Sequence, residues 1–341
     1  MFFMSNIENL KKDIIHLTEE LRTRISFNEV KNQFTKLNFP SATGWDKLIL
    51  NFESFTVDNI ENMLEDLKLN LGKILRSYLL YKDKSVSIYT NYQELDTLYA
   101  NLDKSSTDNL EELNFESHNI MGDLEFFIYK TTRTFFEKVA VDINLFDDQD
   151  ESIQQIYAIK SVLRECYDSI IFNKKKGYII LSLDRAEISN SAILNKAHAK
   201  LVRKINNSVR GISSTARLKE SGDNLFPSIE RFYQDQSGEV TSISFLTLAG
   251  TSHNERLHKT CPDVRKAVYH IAGSAATPIE PYRISIRYDL DNQQPEIFLL
   301  GSFRAMNSRA ARQLFEAQIQ GATNRQSFEF CIDKIIGFIK R

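Results

Sequence analysis

Apolar residues recur every three or four positions through the first half of the chain. Through the second they alternate or cluster in short runs. Ile7, Leu10, Ile14, Leu17 and Leu21 form one helical stripe behind Ser5 and Glu8, which stand at capping-box spacing. Asp58 and Glu61 can cap a second stripe of Ile60, Leu64, Leu67, Leu71, Ile74 and Tyr78. A third helix is predicted after Thr107, through Leu110, Leu113, Leu124, Ile128, Phe135 and Val139. A fourth would carry Ile153, Ile156, Leu163, Tyr167 and Ile170. The polar stretches 102–109 and 146–152 read as loops, so residues 1–176 are predicted to form long antiparallel helices.

Beyond "NKKKG" at 173–177 the pattern changes. "YIILSL" (178–183) is a continuous apolar run suited to a buried strand, and "EVTSISFLTLAG" (239–250) reads as another. In "YRISIRYDL" (282–290), Tyr282, Ile284, Ile286, Tyr288 and Leu290 alternate with Arg283, Ser285, Arg287 and Asp289. That alternation predicts a half-buried antiparallel strand with a basic outer face. "EIFLLG" (296–301) pairs with it across "DNQQP". Helices are predicted over 188–208, 262–272, 308–320 and 326–339. Residues 1–176 hold only three Gly and one Pro, against nine and five in 177–341, as expected if the turns lie in the second part. The expected fold class is α+β in two parts. An N-terminal all-α helical bundle (1–176) is followed by a C-terminal mixed α/β domain (177–341) with a small mixed or antiparallel sheet.

Composition changes this picture little, and charge changes it more. With 42% hydrophobic and 26% charged residues the chain is ordinary for a protein with a core. No apolar run reaches the roughly 18–20 residues of a membrane span. "MFFM" is too short for a signal-peptide apolar region, and no membrane association is expected. Cys166, Cys261 and Cys331 are odd in number and far apart, which argues against a disulfide framework and for a cytoplasmic location. Residues 1–150 carry 16 Lys and Arg against 26 Asp and Glu, while the rest carries 27 against 19. The acidic helices are therefore expected to meet a protein partner or a second copy, and the basic part an anion.

Several chemistries lack their signatures. The chain has no G-x-x-x-x-G-K-[ST] phosphate loop, no G-x-G-x-x-G and no G-x-S-x-G nucleophile elbow. It also has no C-x-x-C zinc knuckle. What remains is a basic tract and a histidine cluster.

The tract "AILNKAHAKLVRKINNSVRGISSTARLK" (192–219) contains Lys196, Lys200, Arg203, Lys204, Arg210, Arg217 and Lys219 without one acidic residue. Ile193, Ala197, Leu201, Ile205 and Val209 give it an apolar seam, leaving Lys196, Lys200, Arg203 and Lys204 on another face to neutralise successive phosphates. Asn206, Asn207, Ser208 and Ser213 can add hydrogen bonds. Arg304, Arg309 and Arg312 cluster where a helix capped by Asn307 is predicted, a second anion site.

"TSHNERLHKTCPDVRKAVYHIAG" (251–273) places His253 just past a predicted strand. His253, His258, Cys261 and His270 are candidate ligands of a divalent metal. Without metal, His253 or His258 can act as base, Glu255 can orient it, and Arg256 or Arg265 can steady a phosphorane. "TCPD" at 260–263 also suits a plain helix start. Arg265 and His270 stand at R-x4-H spacing, which resembles the motif of HEPN ribonucleases and implies RNA cleavage near a helix start. Gly273-Ser274 followed by Asp289 and Asp291 is similar to the nucleotidyltransferase pattern, which implies phosphates held by Gly-Ser and Mg²⁺ by the carboxylates.

The expectation is a nucleic-acid-binding protein (DNA or RNA) gripping phosphates through 196–219 and Arg304/Arg309/Arg312. If it is an enzyme, it hydrolyses phosphodiester bonds at 253–270, in bacterial defence against foreign nucleic acid. Two alternatives compete with it. One is a non-enzymatic interaction module or subunit of a larger complex; the other is a nucleotide-binding enzyme of the nucleotidyltransferase kind.

Overall fold

The computed structural model describes residues 2–54, 60–141, 155–185, 191–257, 262–291, 293–306 and 311–339. Contacts divide the chain into two compact units, Met1–Lys82 with Thr323–Arg325 and Asp83–Ala322 with Gln326–Arg341.

The first unit contains α1 (Phe2–Arg22), α2 (Phe27–Lys36), α3 (Trp45–Glu53) and α4 (Ile60–Tyr81). The stripes read from the sequence account for α1 and α4: Leu10, Ile14 and Leu21 are buried with Leu64, Leu67, Leu71 and Ile74. Phe34, Phe39, Phe52 and Trp45 fill the space around them, Phe34 stacking on Phe39 at 4.6 Å. A capping box of Ser26 and Glu29 starts α2, and Lys82 reaches the same Glu29 carboxylate. Asp58, Ile153 and the 146–152 loop lie outside the described residues, as do the side chains of Ser5 and Ile60.

The second unit overturns the expected fold class. Its centre is one ten-stranded sheet, every neighbouring pair antiparallel, and not a small sheet beside a 176-residue helical bundle. The strands are β1 (Lys84–Thr90), β2 (Asn114–Met121), β3 (Leu124–Val141), β4 (Ile156–Asn173), β5 (Tyr178–Asp184), β6 (Glu239–Thr247), β7 (Ser252–Arg256), β8 (Ile279–Arg287), β9 (Glu296–Leu300) and β10 (Ala317–Gln320). Their order across the sheet is β2-β3-β4-β5-β1-β10-β9-β8-β6-β7.

The third and fourth predicted helices are β2, β3 and β4. The physical reason is parity: residues four apart share a helix face and also share a strand face. Leu124 and Ile128, or Leu163 and Tyr167, therefore satisfy both periods. The intervening Phe126, Tyr129, Thr131 and Thr132, aromatic and β-branched, decide for strand. Scarcity of glycine misleads for a related reason. β3 and β4 pair over 17 residues without a break, so long strands need few turns, and Gly122 (φ 64°) serves the β2–β3 hairpin.

In the last part, β5, β6, β8, β9 and the β8–β9 hairpin occupy their predicted places. α6 (Ser191–Ser208) and α10 (Arg325–Ile339) do as well. The helix predicted over 308–320 is not found: 311–316 is irregular and 317–320 is β10. Gly301 is required where the chain leaves β9, because a Cβ there would lie 2.1 Å from the Tyr282 carbonyl oxygen. No helix among the described residues is long and apolar enough to cross a membrane.

One face of the β3–β4–β5 region is covered by α6 and by α5 (Leu95–Asn101). Tyr129, Ile170, Phe172, Ile179 and Leu181 pack there against Leu194, Ala197, Leu201 and Ile205. Elsewhere α7 (Ser228–Gln234) packs on β8, and Phe232 meets Phe338 of α10 edge to face at 4.7 Å.

Candidate functional site

The β3–β4 hairpin leaves the sheet at a buried cluster of charges. β4 and β5 pair only as far as Ser169 and Ser182. Past that point two carboxylates replace the ladder. Asp168 Oδ1 accepts from the Asp184 amide at 2.9 Å, and Asp184 Oδ2 accepts from the Tyr167 amide at 3.0 Å. Arg133, on the β3 face beside them, donates to the other Asp168 oxygen and, at 2.5 Å, to the Asp184 carbonyl. Lys84 Nζ donates to the Tyr167 carbonyl at 3.3 Å and sits 3.8 Å from Asp184 Oδ1. All four charged residues are buried, and two cations face two anions, so desolvation is offset within the cluster. Burial works against the Arg133 charge, but Asp168 leads the neighbours that outweigh it and hold the guanidinium firmly protonated.

Arg133 is also part of a wall. A cavity of about 420 Å³ lies between β3 and the first three turns of α6. Thr132, Arg133, Thr134 and Phe136 line one side, and Ile193, Lys196 and Lys200 the other. Asp168, Glu111 and Leu113 complete much of the lining. β2 stops pairing with β3 at Asn114 and Lys130, and the 110–111 loop takes over: Thr132 N–H donates to Leu110 O at 2.7 Å, and Thr131 Oγ1 to Glu111 O at 2.9 Å. Lys200 Nζ donates to the Glu111 carbonyl at 2.9 Å, keeping its ammonium at the rim. The volume is that of a small-molecule site.

α6 also carries the tract predicted to bind nucleic acid. Leu194, Ala197, Leu201, Val202 and Ile205 are buried, so Lys196 and Arg203 are turned outward on α6 about 10 Å apart, and Arg210 is exposed in the turn that follows the helix. Among the described residues these three form no ion pair; Arg217 and Lys219 are likewise exposed and unpaired. Lys204 differs: it turns inward to Asp103 at 2.9 Å and over the Tyr129 ring. Burial raises the Asp103 pKa, but Lys204 and Ser105 together outweigh it and hold the carboxyl below its usual range. Three polar residues read as phosphate donors are spent internally. Asn206 brackets Leu218 by donating at 3.0 Å and accepting at 2.8 Å, Ser208 accepts from the Asp103 amide, and Ser213 from the Ala216 amide.

The second predicted anion site falls only partly within the described residues. α9 (Phe303–Met306) is four residues long, Asn307 and Arg309 lie outside the described residues, Arg304 is exposed, and Arg312 is ion-paired with Glu280.

Of the predicted catalytic residues, Glu255 and His270 meet, and Arg265 is turned to other partners. His253 and Glu255 lie on β7, not in a loop, because the chain reverses at Gly250 and pairs again with β6. His253 stacks on Phe245 at 5.3 Å, its Nε2 3.1 Å from Thr251 Oγ1. His270 is buried on α8 (Val268–Ala276), its Nδ1 2.9 Å from Glu255 Oε2 and its Nε2 2.9 Å from Tyr233 Oη. Arg265, in a single 3₁₀ turn (Val264–Lys266), is spent on Asp263 and on the carbonyls of Tyr233, Asp235 and Gly238. Both members of the R-x4-H pair thus meet Tyr233, Arg265 at its carbonyl and His270 at its hydroxyl. His258 and Cys261 lie outside the described residues, and among the described residues no three His, Cys, Asp or Glu gather as a metal site. Gly273 and Ser274 precede β8 while Asp289 and Asp291 follow it, which sets the nucleotidyltransferase-like elements roughly 25–30 Å apart along the strand.

Sequence reasoning missed Arg133, Asp168 and Asp184. The available signal was charge inside apolar runs, "YKTTRTFF" and "CYDSIIF", since a charge in a buried strand needs a partner nearby. Which partner is a matter of register. No protein-family model matches the chain, and comparison with curated proteins finds no match.

Proposed function

We propose that the second unit binds nucleic acid along the outward face of α6. The observation that carries this reading is the row Lys196–Arg203–Arg210, exposed and unpaired among the described residues, with Lys196 and Arg203 about 10 Å apart on α6 and Arg210 in the turn just past its end. Such a row neutralises several successive phosphates and releases their counterions. Arg217 and Lys219, also exposed, flank Leu218 where Asn206 ties the following segment back to α6.

The test is anisotropy of labelled DNA and RNA, single- and double-stranded, between 50 and 200 mM salt. The triple variant Lys196→Gln/Arg203→Gln/Arg210→Gln should flatten the log–log salt slope by about 2–3 and weaken binding roughly 100-fold or more at 100 mM. No binding by the wild type at 50 mM, or an unchanged slope in the variant, overturns the reading.

One observation favours a second reading, self-association. Beyond Thr134 and Leu163 the β3–β4 arm is flanked by no third strand among the described residues. Phe136, Ile159, Leu163 and Tyr157 share one of its faces and are 71%, 71%, 66% and 51% exposed. Fully burying such side chains is worth about 1.5–3 kcal/mol each. Covering the two-thirds that is exposed, on both copies of a face-to-face pair, gives roughly 8–16 kcal/mol gross, comparable to the cost of association. The first unit offers less for the partner surface expected on the N-terminal helices. Its exposed large apolar side chains, among the described residues, are Leu50 and Leu69.

A further inference from the structure

We infer that the cavity between β3 and α6 receives the phosphorylated terminal nucleotide of a nucleic-acid strand lying along α6. This rests on the proposed nucleic-acid reading for the rest of the strand, and on the cavity alone for the end. Position is the first reason. Lys196 lines the cavity together with Lys200 and also begins the basic row, so a strand following Arg210, Arg203 and Lys196 arrives at its mouth. Chemistry is the second. Lys196 and Lys200 present ammonium groups to the mouth, and Arg133 lines the wall with its charge balanced by Asp168. A terminal phosphate monoester carries more charge than an internal diester and offers three oxygens to such a set.

The remaining lining suits the rest of a nucleotide. Phe136, 71% exposed, offers a ring face for base stacking, and Thr132 and Thr134 bring hydroxyls to the edge of β3. About 420 Å³ admits one nucleotide and excludes a duplex, which selects a frayed or single-stranded end. The carboxylates in the lining do not oppose this arrangement equally. Asp168 is already neutralised by Arg133, while Glu111 lies on the loop side, its carbonyl holding Lys200.

The test compares full-length protein with 12-mers of one sequence bearing a 5′-phosphate, a 3′-phosphate or hydroxyls at both ends. One phosphorylated end should bind at least tenfold tighter than the hydroxyl-ended strand. Ala192→Trp, which fills the cavity mouth without removing a charge, should erase that preference while the salt slope persists. A nucleoside 5′- or 3′-monophosphate at 10 mM should raise the wild-type Tm by several degrees, and less in Ala192→Trp; the unphosphorylated nucleoside should not. If strands bind with no end preference, the inference fails and the reading of α6 stands. If no strand binds, the reading of α6 fails, and the monophosphate Tm shift alone supports or overturns the cavity assignment. An equal Tm rise from inorganic phosphate overturns the nucleotide and leaves only an anion hole.

Discussion

Replacing Arg265 by methionine keeps the apolar stem and deletes a guanidinium that makes six hydrogen bonds. Its Nε donates to the two Asp263 oxygens at 3.0 and 3.1 Å, and Nη2 donates to Oδ2 at 2.7 Å. The carbonyls of Tyr233, Asp235 and Gly238 accept at 2.9, 2.7 and 2.6 Å. The pair is nearly out of water, the side chains being 11% and 3% exposed. Removing one partner of a buried pair costs about 3–5 kcal/mol, because the other charge stays behind. Water entering beside the former guanidinium can rescue the three carbonyls, so we add little for them and expect about 4 kcal/mol. At roughly 2–4 °C per kcal/mol this lowers Tm by about 8–16 °C. Adding Asp263→Asn removes the stranded charge and should recover about 1–2 kcal/mol, a non-additivity that a double-mutant cycle reads directly. Thermal and urea unfolding at pH 7 measure both. A single variant within about 2 °C of wild type would show that Arg265 is not a structural staple, and would return it to the pool of residues free to act on a ligand.

Two further outcomes follow from the same physics. Burial raises the Asp235 pKa, but the Ser237 amide, Lys334, the Ser237 hydroxyl and the Tyr288 hydroxyl together outweigh it and hold the carboxyl below its ordinary value of 3.8. A folded-state pKa lowered in this way contributes stability that is present above pH ~4 and is lost as pH falls through the folded value. Asp235→Asn should therefore be less stable than wild type at pH 7 and show a flatter stability profile below pH ~4, by urea unfolding; parallel profiles would contradict the assignment. For the arm, sedimentation between 1 and 100 µM should show wild-type self-association and a monomeric Phe136→Ser/Ile159→Ser, while a wild type that is monomeric at 100 µM removes that reading.

Local patterns carried much of the architecture. α1, α4, α6 and α10 were legible because each keeps an apolar stripe at a period near 3.6 that no strand can satisfy throughout. β8 was legible because Tyr282, Ile284 and Ile286 alternate with Arg283, Ser285 and Arg287 in a strand with one wet face. β3 and β4 were not, since residues spaced by four are silent on period and the deciding aromatic and β-branched positions fall between them. The basic tract was legible as charge. That Lys196, Arg203 and Arg210 stay outside while Lys204 turns to Asp103 was not, because Asp103 comes from a loop about a hundred residues away in sequence.

The amino-acid sequence by itself therefore determined the helices with a clear stripe, the strands with strict alternation and the existence of a long positive segment, all properties set by neighbours within a few residues. Only the tertiary structure decided that ten strands join in one sheet and that Arg133, Asp168 and Asp184 meet where β4 parts from β5. It alone decided that His270 lies in an internal network and that a cavity opens beside α6. Strand pairing and ion pairing are contacts between residues distant along the chain, and register, which shifts every side chain to the opposite face with a slip of one residue, is fixed by the assembled sheet.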